Sequence, residues 1–455
     1  MKQKGTAMQQ IADTKLSRRQ MLKMLGAASV TVGFPTIVPS TVFGKNAPSN
    51  RVVLGMIGVG RQGILVNLRT LLHMNNVQIV AVCDVDKWRL ADAKGRVDKK
   101  YGNKDCKDYT DWREVIARHD IDAIMDSTPD HWHVPISLAA VRKGKHVCTE
   151  KPLTLSIAEG RILADAASKA GVVFRTDSEC RSHAYMIKTA ELVRNGYLGK
   201  IKRIECGVPR GDHPGGSATV SPVPEDLDYK MWMGPIKRKP YMVDAVHPHK
   251  SFGRPGWMRC RDTCQGMITN WGTHVMDVAQ LANNTERTGP VSIEGTGVRP
   301  EPGSGIWNVL IDFTLQYQYA DGIIMDYRVD SKGAYLRIEG EEGWIQANWH
   351  REGGLQASDP NILRTKLKAT DLRMPTRGDK QDFIYCIQEN APEESMADAE
   401  VGHRTCSLGQ LGEIAIERGK KLAWDPAKEI FINDAEANTM LTRDYRDPWN
   451  LDINI

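Results

Sequence analysis

Gly58, Gly60 and Gly63 stand two and three residues apart, and Asp84 follows Gly58 by 26 residues. These are residue types that can hold a phosphate and a sugar. Gly58 allows a tight turn after the apolar run VVLGMIGV, Gly60 lets the backbone approach a pyrophosphate, and Gly63 lets the next helix lie close on the strand. Arg61 and Gln62 complete the turn, and the positive end of the helix that follows suits the pyrophosphate. Asp84 closes a second strand, IVAVCD, where a carboxylate accepts hydrogen bonds from both hydroxyls of an adenine ribose. The set is expected to bind a dinucleotide. The acid favours NAD, because it repels a 2′-phosphate, while Lys87 and Arg89 keep NADP open.

Three further groups carry chemistry. Thr128-Pro129 and His131 lie in STPDHWH, and Glu150-Lys151-Pro152 follow the strand KHVC. Asn270, His274 and Asp277 fall at i, i+4 and i+7, on one face of a helix, so Asp277 is a candidate to orient His274. His131 and His133 are an HxH pair, but no third ligand is evident, so the expectation is a loop ordered beside the cofactor and no metal.

The elements that must position these residues alternate. After Asp84 come helix 88–101, helix 111–118, strand 123–126, the loop STPDHWH, helix 134–143 and strand 145–148. Such alternation gives an α/β, doubly wound parallel sheet, whose ligands bind beyond the carboxyl ends of the strands. The expected Rossmann domain is 51–175. From 176 the pattern changes to helix 185–195, strand 201–208, a Gly/Pro-rich stretch from 209 to 266, and a helix from 271 to 282. Then come alternating strands such as VLIDFTLQYQY and AYLRIEGEEGWIQAN, helices 379–389 and 398–418, and a tail over 426–455. This predicts an α+β second domain, 176–425, with a large open, predominantly antiparallel sheet.

Ser17-Arg18-Arg19-Gln20-Met21-Leu22-Lys23 precedes a moderately apolar run, with no acid between Asp13 and Asp84. It looks like a twin-arginine export signal over 1–44, ending near Val42-Phe43-Gly44, and it predicts a periplasmic or otherwise exported protein handled by the Tat machinery. That route carries folded proteins, so it suits an enzyme that loads its nucleotide first. No other segment reaches the ~18 apolar residues of a span, and no cysteine follows the apolar run, so no stable membrane anchor is expected. A net charge of +5 spread along 455 residues marks no nucleic-acid surface. Nine cysteines include no CxxC pair; Cys260 and Cys264 are a pair that could join if oxidised, which stays open.

With GxGxxG, TPDHWH, EKP, GMITNWGTHVMD and VGHRT on one chain, the sequence resembles the Gfo/Idh/MocA family of sugar and cyclitol oxidoreductases, over residues 51 to 420 and in its exported branch. The resemblance implies hydride transfer between tightly bound NAD(P) and a secondary hydroxyl of a carbohydrate. It places Lys151 beside the nicotinamide and the reacting carbinol, where a neighbouring positive ring lets a lysine relay a proton. Glu150 falls near the nicotinamide ribose, and His274 matches the family's catalytic histidine. Asn270 stands where the family commonly has aspartate, which puts an Asp-His-Lys relay in doubt and leaves Asn270 a hydrogen-bonding role. Arg181, His213, His249, Trp257 and His403 resemble substrate-side positions, and Trp257 and Trp271 can stack on sugar C–H surfaces. A homo-oligomer, dimer or tetramer, is implied through the exposed face of the large sheet. Two other classes stay open: a redox-neutral, NAD-dependent glycosidase, against which the intact EKP argues, and a non-catalytic sugar-binding protein on the same fold.

Overall fold

Short strands apolar on both faces are buried on both faces when helices return the chain between them. In the computed structural model, which describes residues 50–349 and 354–451, six strands pair in parallel, the central ones of this kind and one edge strand, Lys107–Tyr109, polar and exposed. They are β1 (Val52–Ile57), β2 (Val77–Cys83), β3 (Lys107–Tyr109), β4 (Ala123–Asp126), β5 (His146–Thr149) and β6 (Phe174–Thr176), in the order β3-β2-β1-β4-β5-β6. The order reverses between β1 and β4, which opens a crevice above their carboxyl ends. The helices are α1 (π-wound over Gly63–Leu68, α-helical over Arg69–Leu71), α2 (Lys87–Tyr101), α3 (Trp112–Ala117), α4 (Asp130–Arg142) and α5 (Ile157–Ala170). Asp86 caps α2 by accepting from Trp88 N and Arg89 N, and Gly102 ends it at φ +69°. The export signal read at 1–44 lies outside the described residues.

The second sheet has nine strands: β7 (Ile201–Val208), β8 (Ser292–Val298), β9 (Asp312–Gln318), β10 (Ile324–Val329), β11 (Tyr335–Gly340), β12 (Gly343–Asn348), β13 (Leu355–Ala357), β14 (Leu422–Asp425) and β15 (Ile430–Ile432). Their order is β13-β12-β11-β7-β10-β9-β8-β14-β15. The sheet is predominantly antiparallel, as expected, with one parallel pair, β7 with β10. Helices α6 (Ala184–Arg194), α7 (Gly272–Asn283) and α9 (Ala399–Arg418) cover one face and share its core. The helix between them in sequence, α8 (Asp379–Glu389), goes elsewhere. Its Phe383, Ile384 and Cys386 join the core beneath β1 and β2, and Asp382 pairs with the buried Arg175.

One sequence reading is corrected. The DHWH segment is no loop: α4 begins at Asp130, and Pro135 sits inside it. A proline there leaves the carbonyl four residues back without its helical partner. That carbonyl, of His131, is taken instead by Arg443 Nη2 at 3.2 Å. The C-terminal stretch expected as a tail packs on both domains. β15 extends the large sheet, and Trp449 packs edge-on against Trp132, with ring centroids 4.8 Å apart. All nine thiols are free, Cys260 and Cys264 included.

Candidate active site

The carboxyl ends of β1, β2, β4, β5 and β6 deliver Gly58, Asp84, Thr128, Glu150 and Asp177 to the rim of one cavity, of about 460 Å³. The second domain closes its other side with Trp257, Asn270, Trp271 and His274. The strandless stretch 209–266 straps the two together. Lys87 N donates to Asp226 O at 2.8 Å and Asp228 N to Val85 O at 2.9 Å.

On the sheet side the glycines are there for different reasons. Gly58 has φ +80°, and a Cβ on it would lie 2.6 Å from Thr128 N. A Cβ on Gly63 would lie 2.2 Å from Gly58 O, so the helix passes too close for any side chain. At Gly60 a Cβ would meet nothing within 4 Å. The turn is open at that point, and Arg61 and Gln62 also line the cavity. Asp84 accepts from Val59 N and from Asp86 N, both at 2.9 Å, one on each oxygen. It thereby fixes the glycine turn and keeps a second lone pair on each oxygen for hydroxyl donors. Burial pushes its carboxyl up, against the pull of the Asp86 amide, His247 and Arg89. Arg89, which sequence left open for a 2′-phosphate, is buried and donates to Pro248 O at 2.9 Å and Ser251 O at 2.7 Å.

Thr128 and Pro129 line the cavity, with Thr128 N and Oγ1 donating to Asp126 at 3.1 and 2.7 Å. His131 does not line it. Its Nε2 faces Trp232 O at 2.9 Å, and burial drives its ring down to about 3, so it stays neutral. The neighbouring His133 takes the place expected of it, with Nδ1 2.8 Å from Pro152 O and Nε2 2.9 Å from Thr128 O. It clamps the β4 loop to the turn that carries Lys151. Asp126 and Asp130 have their carboxyls pushed up to about 6 by burial.

Glu150 accepts from Asn67 Nδ2 at 2.9 Å. Lys151, which precedes a cis proline peptide, reaches across the cavity. Its Nζ donates to Asn270 O at 3.1 Å, with Asn270 Oδ1 at 3.5 Å. His274 stands in the first turn of α7, its Nδ1 3.2 Å from Cys180 Sγ and its ring edge-on to Trp271 with centroids 5.6 Å apart.

The expected i, i+4, i+7 face does not form around His274. Asn270 ends a separate turn, Met267–Asn270, and Asp277 points into the domain core. There Asp277 accepts from Arg181 Nε at 2.9 and 2.8 Å and from Thr405 Oγ1 at 3.1 Å. Arg181 is accordingly no cavity residue. It is 2 % exposed, also pairs with Glu286 at 2.8 Å, and its charge is held up by those two carboxylates against the cost of burial. His213, His249 and His403 likewise lie off the cavity, against Trp307, Asp226 and Glu429.

Sequence reasoning passed over Asp130, Asp177, Glu179 and Cys180. His133 and Asp130 belong to a motif already singled out, and only their rotation on α4 separates them from His131. Glu179 and Cys180 belong to no pattern. They come to His274 because the short turn Glu179–Ser182 packs on α7. One carboxylate oxygen, the thiol sulfur and one ring nitrogen of these three residues lie within 4.8 Å of one another.

Residues 52–178 match the NAD-binding Rossmann-fold model of the Gfo/Idh/MocA oxidoreductase family, and residues 215–451 match the model of its C-terminal α/β domain. Among solved structures, the aldose-aldose oxidoreductase of Caulobacter crescentus, complexed with glycerol, superposes with TM-score 0.61 at 16 % identity, covering 82 % of this chain and 99 % of that one. The WlbA dehydrogenase of Bordetella pertussis, in complex with NADH and UDP-GlcNAcA, gives 0.59 at 15 % identity, covering 82 % and 99 %. At such identities the likeness is one of fold. Among curated relatives, a glycosyl hydrolase family 109 protein of Phocaeicola vulgatus is 28 % identical over 36 % of this chain and 40 % of its own length. The α-N-acetylgalactosaminidase of Shewanella oneidensis is 29 % identical over 41 % and 44 %. The match thus spans about two fifths of the length of these relatives.

Proposed function

Because this chain belongs to the Gfo/Idh/MocA oxidoreductase family and carries its NAD-binding Rossmann domain, we propose that it oxidises a secondary hydroxyl of a sugar, glycoside or cyclitol. The residues present fit the nucleotide. Gly60 leaves room for a pyrophosphate, Asp84 has lone pairs left for ribose hydroxyls, and Arg89 is already spent on backbone carbonyls. Bound there, NAD supplies the hydride acceptor.

The observation that carries the reading is the convergence of Lys151 and His274 on the cavity that the glycine turn and Asp84 also line. In this scheme Lys151 takes the carbinol proton at Nζ, held in place by Asn270 O, and His274 hydrogen-bonds the same oxygen. Asn270 cannot take a proton, so acid/base work falls to this pair, and Asn270 positions Lys151 and a neighbouring hydroxyl. Trp257 and Trp271 supply aromatic walls for the sugar ring. We further propose that the protein leaves the cytoplasm by the twin-arginine route with its nucleotide bound, and recycles it in place by reducing a second sugar.

The family 109 relatives favour one other reading, a redox-neutral glycosidase in which the same proton and hydride abstraction is transient and the glycosidic bond leaves by elimination. The experiment is to recover the exported protein, denature it and identify the released nucleotide by mass spectrometry, then assay sugars and aryl glycosides. Bound NAD(H) with net oxidation supports the dehydrogenase, whereas free sugar without net redox change selects the glycosidase. Lys151→Ala should keep the nucleotide and lose turnover by at least 100-fold. Retained turnover in that variant sinks the assignment of Lys151.

A further inference from the structure

We propose that Glu179, Cys180 and His274 form a three-ligand site for a divalent cation of borderline softness, with Zn²⁺ as the probe and its fourth position open to the cavity. Cys180 Sγ lies 3.2 Å from His274 Nδ1, and a carboxylate oxygen of Glu179 lies within 4.8 Å of both. A tetrahedral zinc bound through sulfur at ~2.3 Å and nitrogen at ~2.0 Å sets those two atoms about 3.5 Å apart. The thiol and the ring therefore already stand nearly at ligand spacing, and Glu179 has at most about 1.3 Å to close.

Glu179 is free to do so. It is half-buried on a short 3-10 turn, and its side chain makes no hydrogen bond or ion pair among the described residues. The adjacent Arg181, which could have neutralised it, is consumed by Asp277 and Glu286. Sulfur, imidazole and carboxylate together suit zinc or cobalt far better than magnesium or calcium, which prefer oxygen throughout. Glu179 and His274 line the cavity and Cys180 lies behind them, so an ion can enter, and three protein ligands leave a coordination position facing the substrate.

Ligation displaces the thiol proton to solvent and takes the lone pair of Nδ1, leaving the ring proton on Nε2. With the ion bound, His274 is a fixed hydrogen-bond donor to the carbinol oxygen, and the proton transfer assigned above to the pair falls to Lys151 alone. This consequence rests on the dehydrogenase reading; the binding of the ion does not.

The test uses the nucleotide-loaded, full-length enzyme, stripped with a chelator. Equilibrium dialysis should find one Zn²⁺ per chain at this site, and Co²⁺ should give a thiolate-to-metal charge-transfer band. Cys180→Ser should abolish the band, and Glu179→Gln should keep it while weakening binding at least tenfold, thermal unfolding serving to check that both variants fold. Absence of the band, or undiminished affinity in both variants, overturns the site. Zn²⁺ bound in one equivalent with turnover unchanged leaves the site standing and shows that the reaction does not use His274 as a proton acceptor.

Discussion

Arg181 and Asp277 face each other at 2.8 Å with almost no solvent, and such a pair is informative mainly when it is broken. Removing one partner of a buried pair strands the other charge at a cost of about 3–5 kcal/mol. Arg181→Ala should therefore lower the unfolding free energy by that amount, while the KM of the protein that remains folded is unchanged. A raised KM with normal stability is the result that restores Arg181 to the substrate. Asp130 gives a pH dependence. Burial lifts its carboxyl from 3.8 to about 6, and one oxygen has no hydrogen-bond partner. Between those two values the native state holds more protons than the unfolded chain, so stability falls as pH rises through this window and stays lower above it. Asp130→Asn removes that penalty. In urea unfolding it should gain about 3 kcal/mol over wild type at pH 8 and about 1 kcal/mol at pH 4.5, and equal gains at both would count against a carboxylate raised by burial.

At the scale of the element, the turn between β1 and α1 separates two uses of glycine. Gly63 is needed by the packing, since its Cβ would fall 2.2 Å from Gly58 O, whereas Gly60 is needed only by a ligand. Gly63→Ala should destabilise the domain with or without nucleotide. Gly60→Ala should leave the melting temperature of the nucleotide-free protein within about a degree and weaken NAD binding at least tenfold, or about 1.4 kcal/mol. Calorimetric titration and thermal unfolding of both variants check this, and a Gly60→Ala protein that binds normally removes the pyrophosphate from that turn. The start of α4 shows how an element is misread. The expected helix began at 134, yet it reaches back to Asp130, and Arg443, more than 300 residues away, takes the carbonyl that Pro135 leaves without a helical partner.

For the whole molecule, the helices that pack on the large sheet among the described residues, α6, α7 and α9, cover one face. The other face carries ion pairs such as Arg328–Glu205 at 2.9 Å, and Trp344 lies under the Arg337 guanidinium at 3.9 Å. This half-buried face is the one we propose pairs with a second copy of the chain. Light scattering should give twice the mass of the chain, and Trp344→Asp should shift it to the monomer. A monomeric wild type rules the sheet face out as an interface. The C-terminal stretch belongs to the same scale: it adds β15 to the sheet and then returns to α4, so the chain bridges the two domains a second time.

Local pattern determined much of this protein. The glycine spacing, the strand–helix alternation and the acid after β2 are short-range signals, and the turn, the parallel sheet and the Asp84 carboxylate lie where those signals put them. Family motifs named Lys151, His274 and Asn270, which the fold brings to one cavity. What sequence did not reveal depends on rotation and on distant contact. Whether His131 or His133 faces the cavity is set by how α4 packs, and Asp277 is turned from His274 by Arg181, a partner 96 residues away. The meeting of Glu179 and Cys180 with His274 joins segments 94 residues apart at their nearest hydrogen bond, and no spacing rule reaches that far. Periodicity fixes which residues share an element; only the packing of elements, driven by burial of their apolar faces, decides which polar groups meet.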